Sequence, residues 1–274
     1  MNAVNRVAII GVDAVAWLAA LALNRAFRHR KLEVTVIDAA SGGESYGVRW
    51  TLPSQLGLHS MIGIEERDLL RSTGATYKLA TEYAGFQGDG SRFLHAHGDI
   101  GTDGGAAPFY KYLLSEMLAG RRATPEEYSL AATAAKLARF ARPVHDNAPL
   151  KSSFTYGFHL DEGAYVAALR AHAERSGVAR IEGNVAGLDR SEDGRVRALR
   201  LADGRSVAAD VFIHTADVFD DAAPRQDWSA WLPCDRRICA RAPAAANPPA
   251  MTQIAAGEAG WTWRVPLAGS TSLG

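Results

Sequence analysis

The stretch VAIIGVDAVAWLAALAL (residues 7–23) decides how the rest of the chain is read. The run RVAIIG, Arg6 to Gly11, has the length and β-branched content of a buried central strand, and from Ala14 to Phe27 the residues shift to Ala and Leu, which favour helix. Asp13 interrupts the apolar run, and the uninterrupted remainder is shorter than a bilayer span. The stretch therefore predicts a buried element and not a signal peptide or membrane anchor. After the charged RHRK turn, LEVTVIDAA supplies a second strand closing on Asp38. Strand, helix and strand with an acid at the second strand's end form the βαβ unit that opens nucleotide-binding folds.

Composition bounds what surrounds that unit. The chain has 274 residues, 47% apolar and 22% charged, enough to bury a sizeable core. Lys plus Arg and Asp plus Glu are equal at 30 each, so no charge surplus points to nucleic acid or an anionic membrane surface, and neither is an expected partner. Cys234 and Cys239 are the only cysteines, too few for a disulfide framework and without zinc-site spacing. A cytoplasmic protein without a metal site is expected, with Cys234 as a small core residue.

Further along, DEGAYVAALRAHAERSGV (161–178) has helical spacing and a stop at Gly177. ARIEGNVAGLDRSEDGRVRALRLADGRSVAADVFIHT (179–215) alternates apolar and polar residues around turns at EDGR and ADGR, a β-meander feeding a last buried strand, ADVFIHT. Residues 41–150 mix short helices with glycine-rich loops, QGDGS and GTDGG among them, and RAPAAANPPA (241–250) reads as an irregular connection. The fold class expected is α/β: a doubly wound parallel sheet of the FAD/NAD(P)-binding Rossmann-like kind, with strands at 6–11, 33–38 and 210–215, an antiparallel β-meander and an inserted helical, substrate-side segment.

In a G-x-G-x-x-G turn the first Gly permits the bend, the second lets backbone approach a pyrophosphate, and the third lets helix pack on strand. Here Gly11, Asp13 and Ala16 hold those positions, with Ala14 between them. Asp13 puts a side chain and a negative charge where phosphate oxygens would sit, against the preference of a helix N-terminus for anions. On local grounds a purely structural βαβ unit is as good a reading as a cofactor turn.

Six blocks carry a more specific signal. Trp17 directly after the turn is followed by LRSTGATYKLATEYAGF, YGFHLDEGAYVAALRAHAERSGV, ADVFIHTADV, DWSAWLPCDR and GEAGWTWRVPL, and in order and approximate spacing these resemble the flavin-dependent tryptophan halogenases. The last block is similar to that family's W-x-W-x-I-P signature, with Val265 in place of Ile. The resemblance spans residues 1–274 and implies one FAD-binding halogenase-like domain, its nucleotide-binding core about 1–50 and 155–220, its substrate-side segments about 51–154 and 221–274, and the C-terminal part of the family fold absent. It also implies a two-component enzyme. A separate flavin reductase supplies reduced FAD, oxygen and halide yield hypohalous acid, and that oxidant travels a tunnel to a lysine beside tryptophan or a related electron-rich aromatic. A homodimer is left open.

Residue by residue, the resemblance matches Lys78 to the tunnel lysine, whose ammonium can hydrogen-bond hypohalous acid and whose free amine can form a haloamine. A lone Lys is more often a solvated surface residue, but only five of this chain's 30 basic residues are Lys, and composition alone would have supplied Arg. Trp261, Trp263 and Pro266 match the wall between flavin chemistry and substrate; their alternative is a hydrophobic core strand. On the cofactor side fall Gly11, Asp13, Ala14, Ala16, Asp38 near the adenosine ribose, Arg49, Thr51, Val185 near the adenine, and Asp217. Strand-end turn and buried strand residue are the alternatives for Asp38 and Val185. His95 and His97 lie near a family loop and read best as loop packing, and Asp235 and Arg236 as a structural charge pair.

Three departures from the family fall on the cofactor surface: Asp13 and Ala16 in the turn; Arg49 and Trp50 in YGVRWTLPS, where the family reads G-x-G-E-A-T-x-P; and Ala216 and Asp217 in IHTADV, where a glycine-containing segment is usual. They leave a rival reading open, a halogenase-derived protein with impaired FAD binding that serves as a binding module or is a relic. A third reading, an NAD-dependent dehydrogenase, rests on the βαβ start alone.

Overall fold

Strand, helix and strand form where residues 6–38 predict them, as β1 (Arg6–Ile10), α1 (Ala14–Ala26) and β2 (Glu33–Asp38). The computed structural model describes residues 3–38, 47–103, 105–143, 155–215 and 226–274. The chain continues through β3 (Val48–Trp50), α2 (Ser54–Met61), α3 (Glu66–Thr73), β4 (Thr76–Lys78), β5 (Ala80–Ala84), β6 (Arg92–Ala96), α4 (Phe109–Leu118) and α5 (Leu130–Lys136). Next come β7 (Gly157–Asp161), α6 (Glu162–Arg175), β8 (Ala179–Glu182), β9 (Val185–Arg190), β10 (Val196–Leu201), β11 (Ser206–Ala208) and β12 (Val211–His214). The last strands are β13 (Ala240–Pro243), β14 (Met251–Gly257), β15 (Gly260–Pro266) and β16 (Ser270–Leu273). Two compact units result, one of Met1–Ser45, His59–Ser72 and Glu162–Trp228, the other of Tyr46–Leu58, Thr73–Asp161 and Ser229–Gly274.

In the first unit the strands β12, β1, β2 and β8 form a parallel sheet in that order. Side chains alternate across a strand, so Ala8, Ile10 and Ile37 face one way and pack with Leu199, Leu201 and Ala209 of the antiparallel meander β9, β10 and β11. Ile9 and Val36, neither exposed at all, face the other way, where α1 packs on β2 and α6. Trp17 is likewise fully buried on α1; burial of one such large side chain contributes about 1.5–3 kcal/mol. Helix α6 stops as its sequence predicts: Gly177 takes φ +92°, Val178 N–H donates to Ala173 O at 3.0 Å and Gly177 N–H to Glu174 O at 3.1 Å, a left-handed closing turn that non-glycine residues disfavour.

Two expectations need correction here. ARIE (179–182), read with the meander, is β8 and joins the parallel sheet beside β2, because Ile181 enters the apolar cluster under the meander while Arg180 reaches Asp38. ADVFIHT, read as a buried strand, forms β12 at the edge of the described sheet, and Val211 is 37% exposed.

The second unit holds a three-stranded antiparallel sheet, β3, β7 and β4, and a six-stranded sheet ordered β13, β16, β15, β14, β5 and β6. Within the latter only β14 and β5 run parallel. The chain passes from one sheet to the other at Leu79, whose N–H donates to Ala250 O and whose carbonyl accepts from His97 N–H, both at 2.7 Å. Leu79 itself is fully buried among Ala80, Ala131, Ala135 and Met251. RAPAAANPPA, expected to be irregular, begins within β13, which pairs with β16. Among the described residues no helix is long and apolar enough to cross a membrane.

Candidate functional site

Asp13 is the N-cap of α1. Its Oδ1 accepts from Ala16 N–H at 3.0 Å and from the Thr215 hydroxyl at 2.9 Å, satisfying one of the donors that a helix N-terminus leaves open. Gly11 is needed for close approach, but to protein: a Cβ there would lie 2.0 Å from Thr215 Oγ1 and 3.0 Å from Ala16 Cβ. Ala14 and Ala16 are buried in the first turn of α1. Asp38, 8% exposed at the end of β2, holds Arg180 Nε at 2.8 Å on Oδ2, with Arg170 at 3.7 Å. Val185 opens β9 opposite Leu201 and packs on the apolar cluster of the sheet. Asp217 and Ala216 lie outside the described residues.

As it is folded, this turn suits a pyrophosphate less well than a glycine turn would. The carboxylate of Asp13 already takes one of the N-terminal donors of α1 and carries the charge a phosphate would bring, and Thr215 fills the space beside Gly11. Asp38 Oδ2 accepts from the Arg180 guanidinium.

The second unit holds the other candidate residues. Lys78 closes β4 opposite Gly157 of β7, and its side chain is buried, 1% exposed overall. Nζ lies 2.8 Å from His97 Nε2. Among the described residues no carboxylate pairs with it. Burial pushes the Lys78 pKa down to about 8, so about one molecule in ten carries the free amine at pH 7, against fewer than about one in a thousand for an ordinary lysine. His97 is pushed down to about 4 by burial first and then by Lys78 and His95. His159, fully buried on β7, is pushed down to about 3 by burial, then by Lys78 and His97.

The hydrogen bonds assign the His159 tautomer. Thr76 Oγ1 donates to Pro266 O at 2.7 Å, so it accepts from His159 Nδ1–H at 3.1 Å, and Nε2 in turn accepts from the Thr252 hydroxyl at 3.0 Å. Neutral imidazoles thus surround one desolvated amine. Of these partners sequence reasoning had noticed only His97, as loop packing, and that reading is corrected: it is the polar partner of Lys78. His159 was missed altogether; the signal was a histidine inside the otherwise apolar strand GFHL.

The remaining candidates sit around β15 and β3. Trp261 is 51% exposed. Trp263 is half-buried, its ring centroid 6.4 Å from that of Trp50, its backbone paired in both directions with Gly274, and its indole N–H buried without a partner among the described residues. An open cavity of about 480 Å³ runs past Trp263, Glu82, Gln253 and Thr262. Arg49 lies on β3 opposite Leu160. Thr51 extends that pairing: its N–H donates to Phe158 O and its hydroxyl accepts from Phe158 N–H, both at 2.8 Å. Cys234, expected in the core, is exposed, and Asp235 and Arg236 form the expected charge pair at 4.0 Å, with both side chains almost fully exposed.

Against known proteins, the family Tryptophan halogenase matches residues 6–274. The chain is 26% identical to tryptophan 6-halogenase ThaL of Streptomyces albogriseolus over 100% of this chain and 55% of that protein. It is 24% identical to tryptophan 7-halogenase RebH of Lentzea aerocolonigenes over 99% of this chain and 55% of that one. Among solved structures it is similar to BrvH, a flavin-dependent halogenase from Brevundimonas sp. BAL3, with TM-score 0.87 and 31% identity over 98% of this chain and 56% of BrvH. The chain spans about half the length of the curated relatives it matches.

Proposed function

The chain belongs to the tryptophan halogenase family, and on that premise we propose that it halogenates tryptophan or a related electron-rich aromatic through Lys78, holding FAD more weakly than a glycine turn would. The observation that carries this reading is the buried Lys78 amine, 2.8 Å from a neutral histidine and with a pKa near 8. A lysine serving only as surface charge has no reason to be desolvated, because burial without a counter-ion opposes folding. A free amine is a nucleophile toward hypohalous acid: the N–X bond forms as X–O breaks, and the departing hydroxide takes one N–H proton and leaves as water. Lys78 as an ammonium could instead hydrogen-bond the oxidant and orient it toward one ring carbon.

In this reading the oxidant comes from reduced FAD, oxygen and halide, with the flavin reduced by a separate reductase. Trp261, Trp263 and Pro266 stand on the substrate side, and Gly11, Asp13, Ala14, Ala16, Asp38, Arg49, Thr51, Val185 and Asp217 on the cofactor side. The nucleotide-binding core is about 1–50 and 155–220, and the segments around it serve the substrate. A second reading, a halogenase-derived binding module that has lost FAD, is favoured by one observation, the Asp13 carboxylate on the α1 N-terminus.

The test supplies the chain with reduced FAD, halide, oxygen and tryptophan, and follows halogenated product by chromatography alongside oxygen consumption. Product from the parent and none from Lys78→Ala, with oxygen use unchanged, supports the first reading. Equal product from both sinks it. Protein that retains no visible flavin spectrum after mixing with FAD and desalting, and makes no product, supports the second.

A further inference from the structure

We infer that His97 is a positioning residue for Lys78: its imidazole accepts a hydrogen bond from Nζ and so fixes the direction of the amine's remaining hydrogens and lone pair. This rests on reading Lys78 as the amine that handles hypohalous acid. Nζ and Nε2 are 2.8 Å apart, within hydrogen-bond reach. An ammonium has no lone pair, so while Lys78 is protonated the contact has one polarity: Nζ donates, Nε2 accepts, and the ring proton sits on Nδ1. When Lys78 loses a proton the same N–H can stay on Nε2, which turns the tetrahedral lone pair away from the ring.

His97 is itself held. It is 7% exposed, and its backbone N–H donates to Leu79 O at 2.7 Å, which anchors its main chain beside the residue next to Lys78. The titratable groups acting on this pair are His95 from β6 and His159 from β7. None is an anion. That choice of acceptor has a chemical consequence: a carboxylate at the same distance would pair with the ammonium and hold its proton, whereas a neutral imidazole positions the nitrogen and leaves it free to become an amine.

The experiment reads protonation directly and needs no product. With five lysines in the chain, the side-chain carbon resonances of ¹³C-lysine-labelled protein give five titrations by NMR, and the one absent from Lys78→Met belongs to Lys78. His97→Gln, which keeps a neutral acceptor, is expected to leave the Lys78 midpoint near that of the parent. His97→Glu is expected to raise Lys78's proton affinity about a hundredfold. A Glu variant that titrates like the parent overturns the proposal. The parent protein supplies a check independent of how the variants fold: ¹⁵N shifts of the His97 ring should show Nδ1 protonated and Nε2 bare below the Lys78 midpoint. A proton on Nε2 there overturns it as well. Absent halogenation with these signals intact would sink the functional reading and leave the Lys78–His97 contact standing.

Discussion

Asp13 and Thr215, 202 positions apart in the chain, meet in a 2.9 Å hydrogen bond that joins the N-cap of α1 to the residue following β12. The same carboxylate oxygen accepts from Ala16 N–H. One acidic side chain therefore closes the turn in which a glycine would leave room for phosphate.

Removing that side chain should open the turn. Asp13→Gly with Ala16→Gly is expected to tighten FAD by about tenfold to a hundredfold, the equivalent of relieving 1–3 kcal/mol of like-charge repulsion and blocked approach. Loss of the cap and a glycine in the first turn of α1 should together lower stability by about 1 kcal/mol. Flavin fluorescence titration and denaturant unfolding measure the two, and unchanged affinity would show that the turn lies away from any flavin.

The tight glycines should separate into a repairable and an unrepairable case. Gly11→Ala sets a Cβ 2.0 Å from Thr215 Oγ1 and is expected to destabilise by about 1–3 kcal/mol; Thr215→Ala in the same chain should recover most of it. Gly157→Ala meets the Thr51 carbonyl oxygen at 2.3 Å. A backbone atom cannot rotate away, so Thr51→Ala should recover nothing. Double-mutant cycles in urea decide.

Acid should unfold the protein early. His59 and His97, pushed down to about 4, and His159, to about 3, stay neutral in the fold, whereas the unfolded chain binds their protons from about pH 6.5 downward. Stability is thus complete above pH 6.5 and falls as pH drops toward 3, by as much as about 3 kcal/mol for each of His59 and His97. The His59→Phe variant, which removes one of the three, should show a shallower loss between pH 6.5 and 4 in thermal melts.

Lys78 has the same sign in a higher pH window. Its pKa is about 8 in the fold against the ordinary 10.5, so the unfolded chain binds the proton more tightly; the penalty is full below pH 8, shrinks between 8 and 10.5, and is gone above. Lys78→Met should stabilise the protein at pH 7 by about 1–3 kcal/mol and by little at pH 10.5, while making no halogenated product. A destabilised Met variant at pH 7 would show that the lysine is not buried as described.

Local pattern was enough for part of this protein. A β-branched run followed by Ala and Leu made β1, α1 and β2 legible, and Gly177, Gly194 and Gly204, all at positive φ, marked the end of α6 and the meander turns, because helical spacing, strand alternation and turn chemistry act over a few residues. The order of six short blocks was likewise in the sequence, and it carried the family. Pairing over long separations was not. ARIE alternates like a meander strand, and only the partner it finds, β2, makes it parallel. Asp13 was readable as a charge in the turn, but its role as a cap depends on Thr215, which folding brings beside it. Lys78 could be singled out by its block and its rarity; that its nitrogen is desolvated and faces His97, with His159 close enough to feel its charge, required two sheets to meet at Leu79. Burial and hydrogen-bond partners are properties of packing, and a side chain's chemistry follows its neighbours in space.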